Sequence, residues 1–115
     1  MIRIESSDQA IILFEQAAIR HTKASETGDS KAANRSYVDL INAKEYLRRN
    51  HRSELLVNLL KHESKGVQIW AARYLLPVNE TAATAVLEEN SEGGGILSFG
   101  AKMTLTEWRA GNLKD

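Results

Sequence analysis

From Ser7 onward the apolar residues recur at three- and four-residue spacing. Ala10, Leu13, Phe14, Ala17 and Ala18 form the stripe of an amphipathic helix. Ser6, with Gln9 three residues on, fits a capping box ahead of it, and Gly28 supplies the stop. The pattern therefore predicts a helix over 7–27. Asp29 then caps a second over 30–49, whose stripe is Ala33, Tyr37, Leu40, Ile41 and Leu47, with Lys44 breaking the row. A short third helix is expected from Ser53 through "SELLVNLLKH", with Leu56, Leu59 and Leu60 on one face. Ser64 caps the fourth.

That fourth segment, "GVQIWAARYLLP", is apolar on nearly all sides. Val67, Trp70, Ala71, Tyr74 and Leu75 make one stripe, Ile69, Ala72 and Leu76 another, and Gln68 and Arg73 alone are polar. Such a helix belongs between neighbours in a core. Pro77 stops it, because the ring lacks an amide donor and restricts the residue before it. Asn79 caps a fifth helix with Ala82, Ala83, Val86 and Leu87 inward. After "SEGGG" a last helix, about 96–110, puts Leu97, Ala101, Leu105 and Trp108 on one face before Gly111. No segment alternates with period two. The expectation is all-α: a single domain over 1–115, built as a compact stack of about six antiparallel helices.

The pairs at about 53–76 and 80–110 each read as a helix, a turn and an Ala-rich helix. Stacked pairs of this kind resemble HEAT repeats, although Gln68 stands where such a helix commonly carries Arg. The order "LLVNLLKH … VQIWAARYLLP … AVLEE … FGAKMTLTEWRAGNL" also resembles a family of small bacterial proteins catalogued as domain of unknown function two-thousand-nineteen. The likeness runs from Tyr37 to Leu113 and is most specific in "GAKMTLTEWRAG". It implies a HEAT-like helical fold and a bacterial source. It implies no activity, substrate or cofactor, and transfers no functional residue.

Composition narrows the chemistry. The 115 residues are 26% charged with a formal net charge of zero, so the overall balance selects neither a polyanion nor a polycation as partner. Without cysteine there is no disulfide, thiolate nucleophile or thiolate metal site. The longest early apolar run, Ala10 to Phe14, is too short for a secretory signal, and "GVQIWAARYLL" falls short of the ~20 residues of a membrane span. A cytoplasmic protein without a membrane segment is expected.

Candidate sites are few. Gly95, Gly100 and Lys102 approach a phosphate-loop spacing, but Ala101 precedes the lysine, Met103 follows it, no strand leads in, and Ile96, Leu97 and Phe99 fill the segment. Arg48, Arg49 and Arg52, with His51, form the densest basic cluster. It can be a polyanion patch, or simply cations placed at a helix C-terminus. No aromatic residues interleave it to stack bases, which argues against nucleic acid. His21, His51 and His62 lack ligand spacing, and Glu88, Glu89 and Glu92 read as a solvated helix end. No metal, cofactor or catalytic residue is expected. Trp108, flanked by Glu107 and Arg109, resembles an interface anchor, and Arg109 and Lys102 extend that candidate surface. The best-supported expectation is a non-catalytic module that binds another protein, an immunity-type protein being one version, with self-association open. A nucleic-acid binder using Arg48–Arg52 and a small helical enzyme with an unrecognised pocket are the alternatives.

Overall fold

Ser6 and Gly28 bracket the first helix as their chemistry requires. In the computed structural model, which describes residues 3–113, helix α1 spans Ser7–Thr27, and Ser6 Oγ accepts from the Gln9 amide at 3.1 Å. Gln9 Oε1 reaches back to the Glu5 amide at 2.7 Å, one residue beyond the usual capping-box partner. Gly28 adopts φ 76°, and its amide and that of Asp29 bond to Ser25 and Ala24 carbonyls, the left-handed stop of a Schellman motif. Asp29 Oδ1 accepts from Ala32 N at 3.0 Å and starts α2, Ser30–Arg49. Two long helices joined by two residues fold back on one another. Arg20 of α1 meets Asp39 of α2 at 3.0 Å.

A 3₁₀ helix follows at Ser53–Leu59, then α3 at Lys65–Leu75, α4 at Glu80–Ser91 and α5 at Ile96–Arg109. No strand occurs among the described residues, so the chain is all-helical. The backbone groups into two compact units, one up to Leu55 and one from Leu56 onward. In the first, α1 packs on α2. In the second, α4 packs on both α3 and α5.

Three local features depart from the sequence pattern. The third helix is 3₁₀ rather than α, held by i to i+3 bonds such as Leu60 N to Val57 O at 3.2 Å. Three residues per turn bring Leu56 and Leu59 onto one face, and both are buried. In α2 the inward row is Ser36, Leu40, Ala43, Lys44 and Leu47; Tyr37 is exposed and Ala33 half-buried. In α3, Val67, Ala71, Ala72 and Leu75 are fully buried, but Trp70 and Ile69 are only half-buried. Trp70 stacks on Tyr74 with centroids 6.0 Å apart, and the Arg73 guanidinium sits 5.7 Å from the Tyr74 ring.

A polar bridge ties α3 to α4. Asn90, buried, donates to Gln68 Oε1 at 3.1 Å and to its own Val86 carbonyl at 2.9 Å, while Gln68 Nε2 donates to the His62 carbonyl. Gln68 thus serves as a connector between helices.

The end of α2 repeats the Schellman geometry without a glycine. His51, at φ 56°, donates to Arg48 O at 3.1 Å, and Arg52 N donates to Leu47 O at 2.7 Å. A side chain in the left-handed region costs about 1–2 kcal/mol. His51→Gly is expected to raise stability by about 1 kcal/mol, whereas Gly28→Ala should lower it by about 1–2 kcal/mol. Urea unfolding midpoints of the two variants check both signs.

Candidate interaction surface

The inner face of α5 is narrow. Ala101, Thr104 and Leu105 are buried on it, with Leu97 and Trp108 half-buried beside them. Gly95, at φ 97°, precedes the helix without a side-chain cap, and Gly111, at φ 77°, closes it. Thr104 is buried because its hydroxyl is satisfied within the helix, donating to Gly100 O at 2.9 Å.

Two contacts fasten this face to α4. Trp108 Nε1 donates to Glu80 Oε2 at 2.7 Å, and Arg109 meets Glu88 Oε1 at 2.7 Å. The sequence offered Trp108 and Arg109 as a surface for another protein; the structure places both against α4. The Arg109–Glu88 pair is exposed on both sides, so it contributes at most about 1 kcal/mol.

Lys102, the third of those residues, is exposed and beside a different feature. Ile96, Phe99 and Met103 are 55%, 63% and 42% exposed, and they stand at i, i+3 and i+7 of α5. That spacing aligns them on the helix side facing away from Ala101 and Leu105. From Ile96 to Thr106 the only charged side chain is Lys102. α5 therefore carries a second, outward apolar stripe flanked by one cation. Sequence reasoning missed it, because it assigned the last helix a single row, Leu97, Ala101, Leu105 and Trp108. The available signal was a second row at helical spacing on a helix already supplied with an inward row.

The basic cluster is organised differently from its sequence reading. Glu45 Oε2 accepts from Arg48 Nη2 at 2.6 Å and from its Nε at 2.9 Å, two charge-assisted bonds converging on one oxygen. Glu45 Oε1 accepts from Lys44 Nζ at 2.9 Å, and Lys44 is buried. Both cations hold the Glu45 carboxyl down to about 2, the Arg48 hydrogen bonds contributing most. Arg49 and Arg52 lie exposed, their guanidinium groups on the carbonyls of Glu45 and His51 at 3.4 Å. Of the three arginines, Arg48 is already neutralised.

The histidines stay apart in role. His21 is half-buried near Ser25 Oγ, and burial pushes its imidazole below the usual value. His62 Nδ1 accepts from the Ser64 amide at 2.9 Å. Among the described residues no group of three or more His, Asp or Glu side chains could hold a metal ion, and no helix is long and apolar enough to cross a membrane.

With this geometry in place, the chain can be set beside known proteins. A crystal structure of the protein RPA1889 from Rhodopseudomonas palustris CGA009 matches it with a TM-score of 0.88, covering 98% of this chain and 99% of that one at 18% identity. Likeness at that identity establishes the helical fold alone. No family model matches the chain, and no curated protein matches it in sequence.

Glu45 makes acid stability testable. Its carboxylate is preferred in the folded state, so its contribution is complete above the unfolded value of 4.5 and is lost as pH falls toward about 2. Glu45→Gln should flatten the decline of unfolding free energy between pH 4.5 and 2, measured by denaturant titration at several pH values. Removing Glu45 also takes a carboxylate contact at 2.9 Å from the buried Lys44 ammonium. Glu45→Ala is expected to cost about 2–3 kcal/mol, while Lys44→Met, which removes the buried charge itself, should be neutral or stabilising.

Proposed function

We propose that this chain is a non-catalytic module that binds another protein through the outer face of α5. The observation that carries the reading is the Ile96–Phe99–Met103 stripe, exposed on a helix whose opposite face is closed by packing. Scattered exposed apolar residues are ordinary, but an aligned row on one helix face marks a contact surface. The three residues span about 10 Å at 1.5 Å of rise per residue, the length of two helical turns.

The occupant is a segment of a different protein. Half-exposed side chains of this size offer on the order of 300 Å², well under the ~800 Å² that each partner contributes to a stable dimer. Pairing two copies through this stripe would bring Lys102 toward Lys102 with no carboxylate between Ile96 and Thr106 to offset them. An apolar segment carrying an acidic residue beside Lys102 satisfies both the stripe and the cation. The immunity-type version of the reading, in which the bound protein is a toxin, is compatible with this surface.

Phe99→Glu and Met103→Glu leave every buried position untouched and should retain the far-ultraviolet circular dichroism of the parent. Each is expected to weaken capture of one stoichiometric partner from the source organism by about 30-fold or more. Lys102→Glu should weaken it less, and less still at high salt. A partner captured equally by the parent and by Phe99→Glu, or recovery of this chain alone, would overturn the proposal.

A further inference from the structure

The first compact unit carries a cavity of about 450 Å³ between the last turns of α1 and the first turns of α2. Each helix gives it a row at i, i+3, i+4 and i+7. Arg20, Lys23, Ala24 and Thr27 come from α1, and Ala32, Arg35, Ser36 and Asp39 from α2. In each row the larger side chains flank a small one. Ala24 and Ser36 are 5% exposed and make a floor, while Arg20, Lys23 and Arg35 are exposed at the walls.

The charges on these walls do not cancel. Asp39 is taken by Arg20 at 3.0 Å, and Asp29, the other carboxylate lining the cavity, is taken by the Ala32 amide that it caps. Lys23 and Arg35 have no carboxylate within ion-pair distance among the described residues. On the floor, Ser36 presents a hydroxyl that makes no hydrogen bond among the described residues, although the residue is almost fully buried. Its oxygen is not sealed in the interior but opens into the cavity that Lys23 and Arg35 also line. A guanidinium, an ammonium and a hydroxyl converging on one space are the donors of an oxyanion site.

We infer that this cavity binds a small anion bearing a phosphate group. Arg35 supplies two parallel N–H donors, Lys23 a point charge and Ser36 the donor at the floor. A phosphate monoester offers three terminal oxygens and close to two charges, which match three separate donors and two free cations. A carboxylate, with two oxygens and one charge, leaves part of the set unused. The volume lies within the range of small-molecule sites and exceeds what an inorganic ion fills, so the phosphate is attached to an organic group. This inference is independent of the α5 stripe, whose residues belong to the other compact unit.

Phenyl phosphate is the probe, titrated into the full chain at fixed ionic strength while amide chemical shifts are followed. Saturable shifts confined to residues 20–39 are expected. Arg35→Gln and Ser36→Ala should each weaken binding at least tenfold, with circular dichroism unchanged. Lys102→Gln, on α5, should leave it unaltered. Shifts that never saturate, that survive both variants, or that succinate reproduces at the same concentration would overturn the assignment. Inorganic phosphate is expected to bind the same residues more weakly; binding as tight as phenyl phosphate would overturn the claim that an organic group occupies the remaining volume.

Discussion

Close helix contact through alanine is the constraint on which this structure rests. Ala10, Ala17, Ala18 and Ala43 in the first unit and Ala71, Ala72, Ala83 and Ala101 in the second are all fully buried. Alanine at contact positions brings helix axes to the near end of the usual 8–10 Å range and loses no side-chain entropy on packing. The larger buried residues, Phe14, Leu40 and Leu47 in one unit and Leu75 and Leu87 in the other, then fill what the close approach leaves. Little apolar volume is needed inside each helix pair, and this decides what remains outside.

α5 shows the consequence. With Ala101, Thr104 and Leu105 occupying its contact face, there is no inward position left for Ile96, Phe99 or Met103. These residues are outward because the inward face is full. An exposed phenylalanine on such a helix makes no contribution to folding that a polar residue would not match, since its area stays in water. The proposal of a protein-binding surface on the outer stripe of α5 rests on that exposure.

Much of the fold is legible from sequence, and the reason is local chemistry. Ser6, Asp29, Ser64 and Asn79 each cap the helix that the pattern assigns to them, because an N-cap needs only its own side chain and an amide three residues on. Gly28 and Gly111 mark helix ends for an equally local reason. What was not legible is backbone strain and the partner that each polar side chain takes. His51 does a glycine's work at the end of α2, with no residue type to announce it. Lys44 interrupts the apolar row of α2, yet is buried because Glu45 accompanies it. Gln68 looks like a polar blemish on an apolar helix until Asn90, twenty-two residues later, meets it. The cavity of the first unit is the extreme case: its two rows each read as ordinary polar helix faces, and only the reversal at Gly28–Asp29 sets them opposite one another.

The two proposals, a protein on the α5 stripe and a phosphate in the α1–α2 cavity, call on different physics, and this keeps them separable. Burial of Ile96, Phe99 and Met103 is nearly indifferent to ionic strength, with Lys102 alone adding a screened component. Lys23 and Arg35 act through charge at an open cavity, where a Debye length of about 8 Å at physiological salt limits their reach and makes binding fall as salt rises. On these proposals a partner on α5 would survive salt that empties the cavity. The arrangement of Glu45 between Lys44 and Arg48 sharpens the contrast: the densest basic run in the sequence has its charge partly consumed within the fold, while the sparser cations at Lys23 and Arg35 keep theirs. Within the basic run at the end of α2, Arg48 has its charge met by Glu45, while Arg49 and Arg52 stand exposed as cations, as do Lys23 and Arg35 beside the cavity.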